Sequence, residues 1–448
     1  MKFNAKPGDI VELHLMHEIY EGILLESSES GIVLLKLDSG YNIGFKKKEI
    51  LEIKLIEKAK EKQETFDLKK DSSKPNIAMI ITGGTIAARL NPRKGGVDWL
   101  DTPESLFKFY PELFEKVNVL KVEVPFMKAS EDMDFRDWQK IARTCEKLLN
   151  DSNIQGIIVT HGTDFLHYTA SALSFFLGKV NKPVVLTYSQ RSIDRASSDA
   201  NLNLQCSALA CISDIAEVML VGHANSDDDF CFAMKGTKVR KLHTSRRDAF
   251  KVINDKPFAK IYSDRIEKIS DYTLKGTSSL RNKHCSVYTR RAQDPKTLNK
   301  GAKVKADTKF EEKVALVKFY PGQSPDILNY YVKNKYKGIV LEMGALGHVS
   351  TSRSRNNWVR KLKEVINKGL IVCGVSQCIN GRVDPLVYSN GREILKTGVI
   401  YLKDMLAETA FVKLGWVLGH SEWAKSKEKI KEKMLYNFVG EFNNRLEE

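Results

Sequence analysis

The 448-residue sequence predicts an α/β protein in which a small N-terminal all-β barrel precedes two α/β domains built on parallel sheets. Three observations carry that expectation. The first 56 or so residues read as short strands broken by turn signals. Beyond them, short apolar runs of buried-strand type alternate with helical patterns, which is the order of a parallel sheet with crossover helices. Two polar, lysine-rich stretches divide the chain.

The elements follow in order. Residues 1–56 hold alternating Val11, Leu13 and Leu15, then Gly22–Leu25, Ile32–Leu37 and Ile50–Ile53. Pro7-Gly8-Asp9, Ser27–Gly31 and Asp38-Ser39-Gly40 separate them as turns, the pattern of a small barrel. Residues 57–75 turn polar and charged and read as a linker. The first α/β domain, residues 76–274, opens with Ile77–Ile81 and continues with strands at Gly156–Val159, Val184–Leu186 and Val218–Val221. A helical pattern through Asp137–Leu149 lies among them. Residues 275–312 read as a basic interdomain linker: from Lys275 to Lys313 there are eleven Lys and Arg against four acids. The second α/β domain, residues 313–448, has strands at Val314–Val317, Gly338–Leu341 and Leu370–Val372, and ends in an amphipathic helix carrying Leu435, Phe438, Val439 and Phe442.

Composition narrows the class. No apolar run approaches the roughly 18 residues of a membrane span, and the start, Met1 to Pro7, has no apolar core behind its charge. A cytoplasmic protein that meets no membrane is expected. The seven cysteines are odd in number and scattered, without a paired CxxC arrangement, so neither a disulfide framework nor a zinc site is expected. Cys373 and Cys378 read as reduced core thiols. His14 and His17, three apart in a strand, fall on opposite faces and cannot readily chelate. No metal is expected. The net charge of +15 suits a polyanionic partner and equally suits plain lysine enrichment.

Two strand ends could carry chemistry. The first buried strand runs into Thr82-Gly83-Gly84-Thr85-Ile86-Ala87, where ligands bind in open α/β sheets. Its glycines let backbone approach a substrate, and Thr85 can present a hydroxyl. A tight turn with a threonine cap explains the same letters, and no phosphate-loop pattern is present. The second strand end, Thr160-His161-Gly162-Thr163-Asp164, again delivers a hydroxyl and a carboxylate, although Asp164 alone reads equally as a helix N-cap. A nucleophilic hydroxyl needs help to lose its proton. Lys241 could supply it, but spacing does not select it over neighbouring Lys238 and Arg240.

TGGTIA (Thr82–Ala87) and VTHGTD (Val159–Asp164) together resemble the two signature motifs of the bacterial-type asparaginase family. SEDM (Ser130–Met133), QRSIDRASSDANLNL (Gln190–Leu204), VRKLHTSRRDAF (Val239–Phe250) and SQCINGRVD (Ser376–Asp384) are similar to the D-type chains of archaeal glutamyl-tRNA(Gln) amidotransferases. So is the barrel ahead of the catalytic region, which plain asparaginases lack. The resemblance implies two asparaginase-like α/β domains behind the barrel and a threonine amidohydrolase. Thr85 would be the nucleophile on the side-chain amide of glutamine or asparagine, with Thr163, Asp164 and Lys241 as its activating set. Ser130 and Glu131 would hold the substrate's α-amino and carboxylate ends, and backbone N–H groups at Gly84 and Gly162 would face the oxyanion. The family pairs with itself and with an E-type chain in a heterotetramer. That partner uses ATP and Mg²⁺ to amidate Glu-tRNA(Gln) with the ammonia released. The D-type chain itself is expected to bind no cofactor.

Two departures from the family pattern stand out. Pro92 sits where the flap after TGGTIA usually carries a tyrosine. Leu186-Thr187-Tyr188-Ser189 replaces a glycine- and alanine-containing segment, which suggests Tyr188 as a substitute for the flap hydroxyl or as a residue narrowing the pocket. Besides the amidotransferase reading, a free asparaginase or glutaminase and a non-catalytic scaffold for the tRNA-binding partner stay open. The barrel also permits nucleic-acid binding, though it is poor in aromatics suited to stacking bases.

Overall fold

The structure, a computed structural model, describes residues 5–446 except 26, 28–30, 38–41, 59–70, 92–95, 100–109, 193–196 and 276–302. Most of the charged linker and most of the basic one, with Cys285 and Pro92, fall outside the described residues.

The N-terminal unit is a five-stranded antiparallel sheet of β1 (Ile10–His14), β2 (Ile19–Leu25), β3 (Ile32–Lys36), β4 (Asn42–Lys46) and β5 (Glu52–Glu57), in the order β4-β3-β2-β1-β5. Alternation does the sorting: Val11 and Leu13 are fully buried with Leu35, Phe45 and Ile50, while their neighbours along β1 stay half-buried. His14 is the last residue of β1 and contacts Glu12 Oε2 at 3.0 Å, and His17 lies beyond the strand.

The central unit holds β6 (Asn76–Ile81), a hairpin of β7 (Ala88–Asn91) and β8 (Gly96–Trp99), and β9 (Asn118–Glu123). It continues with β10 (Ile157–Thr160), β11 (Val184–Thr187), β12 (Val218–His223), β13 (Cys231–Lys235), β14 (Val239–Lys241), β15 (Phe250–Val252), β16 (Ala259–Ile261) and β17 (Ile266–Lys268). Its eight-stranded sheet runs β17-β16-β13-β12-β11-β10-β6-β9. From β12 to β9 all pairings are parallel. The expectation of a purely parallel sheet needs correction here. Strands β13, β16 and β17 extend it antiparallel; the links from β12 to β13 and from β16 to β17 are too short for the crossover that parallel pairing requires. The helices are α1 (Pro111–Lys116), α2 (Phe135–Leu149), α3 (Leu166–Leu177) and α4 (Ala200–Ile212). Successive residues of β6 point into different cores: Ala78 and Ile80 meet α2 and α3, and Ile77, Met79 and Ile81 meet α1 and α4. Both faces are covered, so the inner strands β6, β10, β11 and β12 are nearly continuous apolar runs.

The C-terminal unit is a parallel sheet of β18 (Val314–Lys318), β19 (Gly338–Met343), β20 (Ile371–Ser376) and β21 (Ile400–Tyr401). It carries α5 (Ile327–Lys333), α6 (Trp358–Asn367), α7 (Ser389–Leu395), α8 (Ala407–Leu418) and α9 (Lys427–Leu435). Helix α8 packs on α3, so the two α/β units share one hydrophobic core.

Three further expectations are corrected. The terminal amphipathic helix stops at Leu435; Phe438, Val439 and Phe442 lie in irregular chain folded around the buried Glu441 carboxylate, which accepts from the Phe438 and Val439 amides. Cys378 is exposed, whereas Cys373 is buried. Residues 303–312, read as linker, form a strap bonded to helices of both units. Val304 pairs both ways with Asn150, the Asp307 amide donates to Phe176 O, and the Glu311 amide donates to Gly415 O.

Candidate active site

The site lies at the carboxyl ends of β6 and β10, adjacent parallel strands. The Thr82 amide and hydroxyl both donate to Thr160 O, at 3.2 and 2.8 Å, tying the two strand ends together. Gly83 and Gly84 then take φ of +124° and +86°, a region that favours glycine. A Cβ on Gly84 would lie 2.6 Å from Gly162 N and His161 O. The two loops therefore touch backbone to backbone, and only glycine permits it. Thr85 follows at once, partly exposed, at the head of a short 3₁₀ turn (Thr85–Ala87).

The second loop holds three polar groups in mutual contact. Lys241 Nζ donates to Thr163 Oγ1 at 2.8 Å and to Asp164 Oδ1 at 2.6 Å, and Thr163 Oγ1 donates to Asp164 Oδ1 at 3.1 Å. The Lys241 hydrogen bond holds the Asp164 carboxyl below its usual range. The N-cap of α3 is Phe165, which has no side-chain cap. Asp164 is thus committed to the lysine and not to the helix end, which decides between the two readings of that residue. The Phe165 amide instead donates to Ser130 Oγ at 3.3 Å. Ser130, buried, lies against Gly162, and its hydroxyl also meets Glu131 Oε2 at 3.3 Å; Glu131 is exposed.

Beneath this loop sits His161, fully buried, a residue the motifs do not single out. Its Nδ1 lies 2.7 Å from Gly162 O and its Nε2 2.9 Å from Thr169 Oγ1. The carbonyl can only accept, so Nδ1 carries the proton and Nε2 accepts from the threonine. Burial lowers this imidazole to about 4, so it stays neutral and pins the loop.

Lys241 comes from the short hairpin of β14 and β15. Its neighbours point elsewhere: Lys238 Nζ is fully buried on Asp404 Oδ2 at 2.5 Å, and Arg240 contacts Glu408 Oε1 at 3.0 Å. Two cavities flank the site and share Phe165 and Tyr168. One, of about 560 Å³, is lined by Asp164, Lys241, Arg240, His167 and Glu408. The other, of about 340 Å³, is lined by Ser130, Glu131 and aromatics including Trp138 and Phe310.

Tyr188 does not serve as a substitute flap hydroxyl. It is fully buried against Phe250, and its hydroxyl donates to Arg247 O at 2.7 Å, bracing the loop between β14 and β15. Pro92, the other departure, lies outside the described residues.

The family models align with these units. The asparaginase N-terminal domain matches residues 76–273, the glutaminase/asparaginase C-terminal domain 313–434, and the GatD N-terminal domain 5–56. The glutamyl-tRNA(Gln) amidotransferase GatD protein of Pyrococcus furiosus is 45% identical over 429 residues, covering 94% of this chain and 90% of that protein. The chain belongs to the GatD family of glutamyl-tRNA(Gln) amidotransferases. The family's Pyrococcus abyssi member is 43% identical over 448 residues, covering 98% of this chain and 95% of its own. Among solved structures, the thermostable L-asparaginase from Thermococcus kodakarensis superposes with a TM-score of 0.67 at 26% identity, covering 82% of this chain and 99% of that one. The GatD-type chain thus pairs an asparaginase-like α/β body with an added N-terminal β sheet.

Proposed function

We propose that this chain is the amide-donor half of the amidotransferase, hydrolysing glutamine or asparagine through Thr85. The observation that carries the reading is the Thr163–Lys241–Asp164 cluster, held against the Gly84–Thr85 turn by the Gly84–Gly162 contact. A hydroxyl attacks an amide only if its proton is taken up as the bond forms. In this reading Thr85 Oγ1 bonds to the amide carbon and its proton passes to the Thr163–Lys241 pair. Lys241, donating to Thr163 Oγ1, stabilises negative charge on that oxygen. The tetrahedral intermediate, its oxygen held by backbone N–H groups of the two glycine turns, expels the nitrogen, which takes the proton held by the Thr163–Lys241 pair and leaves as ammonia. Water then attacks the threonyl ester, releasing the carboxylic acid and restoring the Thr85 hydroxyl. Ser130 and Glu131 border the site where the α-amino and carboxylate ends of the substrate would bind.

The ammonia would pass to an E-type partner, which with ATP and Mg²⁺ amidates Glu-tRNA(Gln); the nucleotide and the metal belong to that partner. Paired D-type chains would meet paired E-type chains in a cytoplasmic heterotetramer, and the +15 charge of this chain favours approach of tRNA.

The test is ammonia release from glutamine and from asparagine, with and without the partner, ATP and Glu-tRNA(Gln). Release that depends on partner and tRNA and vanishes in Thr85→Ala supports the coupled reading. Strong release by the isolated chain favours the free amidohydrolase, a reading that the likeness to L-asparaginase keeps in view. No release under any condition leaves the scaffold.

A further inference from the structure

The hairpin that presents Lys241 has few residues of its own to hold it: β14 and β15 contribute three each and form a two-stranded sheet separate from the main one. A ribbon of that size is not stable alone. Much of what fixes it comes from the C-terminal unit. At its base, Lys238 Nζ meets Asp404 Oδ2 at 2.5 Å with both side chains fully buried. Asp404 is oriented in turn by the Asn443 amide, at 3.1 and 3.2 Å to its two oxygens. On the returning side, Asn254 Nδ2 donates to Gly381 O and Asp404 O, and Asn254 Oδ1 accepts from the Gly381 amide. The turn before β14 is held by Thr409 Oγ1, which donates to Thr237 O at 3.0 Å. Beside Lys241 itself, Arg240 Nη2 lies 3.0 Å from Glu408 Oε1, and Glu408 is buried in the first turn of α8. The other Glu408 oxygen is buried without a partner among the described residues, and His167 Nε2 stands 4.0 Å from Oε1.

A buried carboxylate satisfied on one side only is a cost to folding. Simple stability would be better served by an apolar residue at this place. Its geometry gives it another use. Arg240 is covalently next to Lys241, so whatever fixes the Arg240 guanidinium limits the rotation of β14 and hence the path of the Lys241 side chain to Thr163.

We infer that Glu408, acting through Arg240, is a positioning residue for Lys241, so that the C-terminal α/β unit sets the geometry of a site whose reacting groups all lie in the central unit. The inference rests on the amidohydrolase reading above. It makes the two α/β units one catalytic body, with the segment Leu402–Thr409 as the joint between them.

Kinetics of Arg240→Gln and Glu408→Gln in the full complex test it. Loss of the ion pair lets Lys241 drift from Thr163, and misplacement of about 1 Å costs on the order of 100-fold. The expected fall in kcat for ammonia release is therefore about 10- to 100-fold, with KM changed by less than about 2-fold, since the substrate's α-amino and carboxylate ends are placed at Ser130 and Glu131 in the other cavity. The Arg240→Gln/Glu408→Gln double variant should be no slower than the slower single variant, and Arg240→Lys should recover most of the loss. Thermal unfolding of each variant separates this from simple destabilisation. A kcat that falls only in proportion to the folded fraction, additive single effects, or a KM effect in place of a kcat effect would each overturn the inference while leaving the Thr85 chemistry intact. A wild-type complex with no Thr85-dependent ammonia release would instead overturn the underlying reading.

Discussion

Lys241 with Asp164 and Lys413 with Glu441 are the same chemical pair at the same separation, 2.6 Å, in two regions of the molecule. Lys413 is fully buried and donates to Met434 O, Tyr436 O and Glu441 Oε1, so all three of its protons are placed. Glu441 in turn takes the Phe438 and Val439 amides. Burial pushes the Lys413 ammonium down and Glu441 pushes it back up. The pair rivets the chain end to α8. Lys241 instead shares its partner with a hydroxyl, and Asp164 keeps more than half of its side chain in solvent. Closed and saturated, the Lys413 pair is structural; open and shared with the Thr163 hydroxyl, the Lys241 pair has the arrangement that the proposed proton transfer needs.

The comparison can be broken most sharply at Lys241. Lys241→Met should lower ammonia release by about 1,000-fold, within the range of lost general acid–base catalysis, with little change in Tm. A Tm shift as large as that of a buried-pair variant would erase the distinction. Lys413→Met should do the reverse. It leaves Glu441 as an uncompensated buried carboxylate, costing about 3 kcal/mol or more of stability by urea unfolding, with activity per folded molecule retained. Adding Glu441→Leu should restore only part of the loss, because two backbone amides then lose their acceptor.

The pH axis probes the central region by itself. His161 is lowered to about 4 and His167 to about 3, both chiefly by burial. Each is therefore neutral when folded, while the unfolded chain takes up the proton below about 6.5. Stability from this source is full above pH 6.5 and falls as pH drops toward 4, at about 1.4 kcal/mol per pH unit for each histidine. Acid unfolding should become shallower in His167→Phe; an unchanged slope would contradict the assignment. The smallest effect belongs to a third lysine–carboxylate contact, Glu364 with Lys368 at 2.7 Å on the outer face of α6. Solvent screens it, and Glu364→Gln should leave Tm unchanged within error.

Much of the fold was legible because burial writes itself into period and composition. The inner parallel strands of the central sheet are short apolar runs, and α2 shows its buried face at Trp138, Ile141, Ala142 and Cys145. What escaped was short or aperiodic. Strands β13, β16 and β17 pair antiparallel across three to five residues each, and the 303–312 strap has no helix or strand period although its backbone and side chains both bond to the two units. The terminal apolar residues kept a helical spacing, but a buried carboxylate organised them into turns.

At the site, the order of Thr82–Thr85 and Thr160–Asp164 after two apolar strands already placed both loops at one sheet edge, since parallel strands end on the same side. The glycines at 83 and 84 marked a backbone that must fold into the left-handed region. The choice among Lys238, Arg240 and Lys241 was not available from those letters. Three basic residues within four positions are chemically alike along a chain, and only their partners, Asp404, Glu408 and the Thr163–Asp164 pair, tell them apart. Those partners are 77 to 168 residues distant in sequence. Local sequence determines what a strand, turn or helix end can present; which charge meets which is decided when distant segments are packed together and each buried ion must find its counterpart.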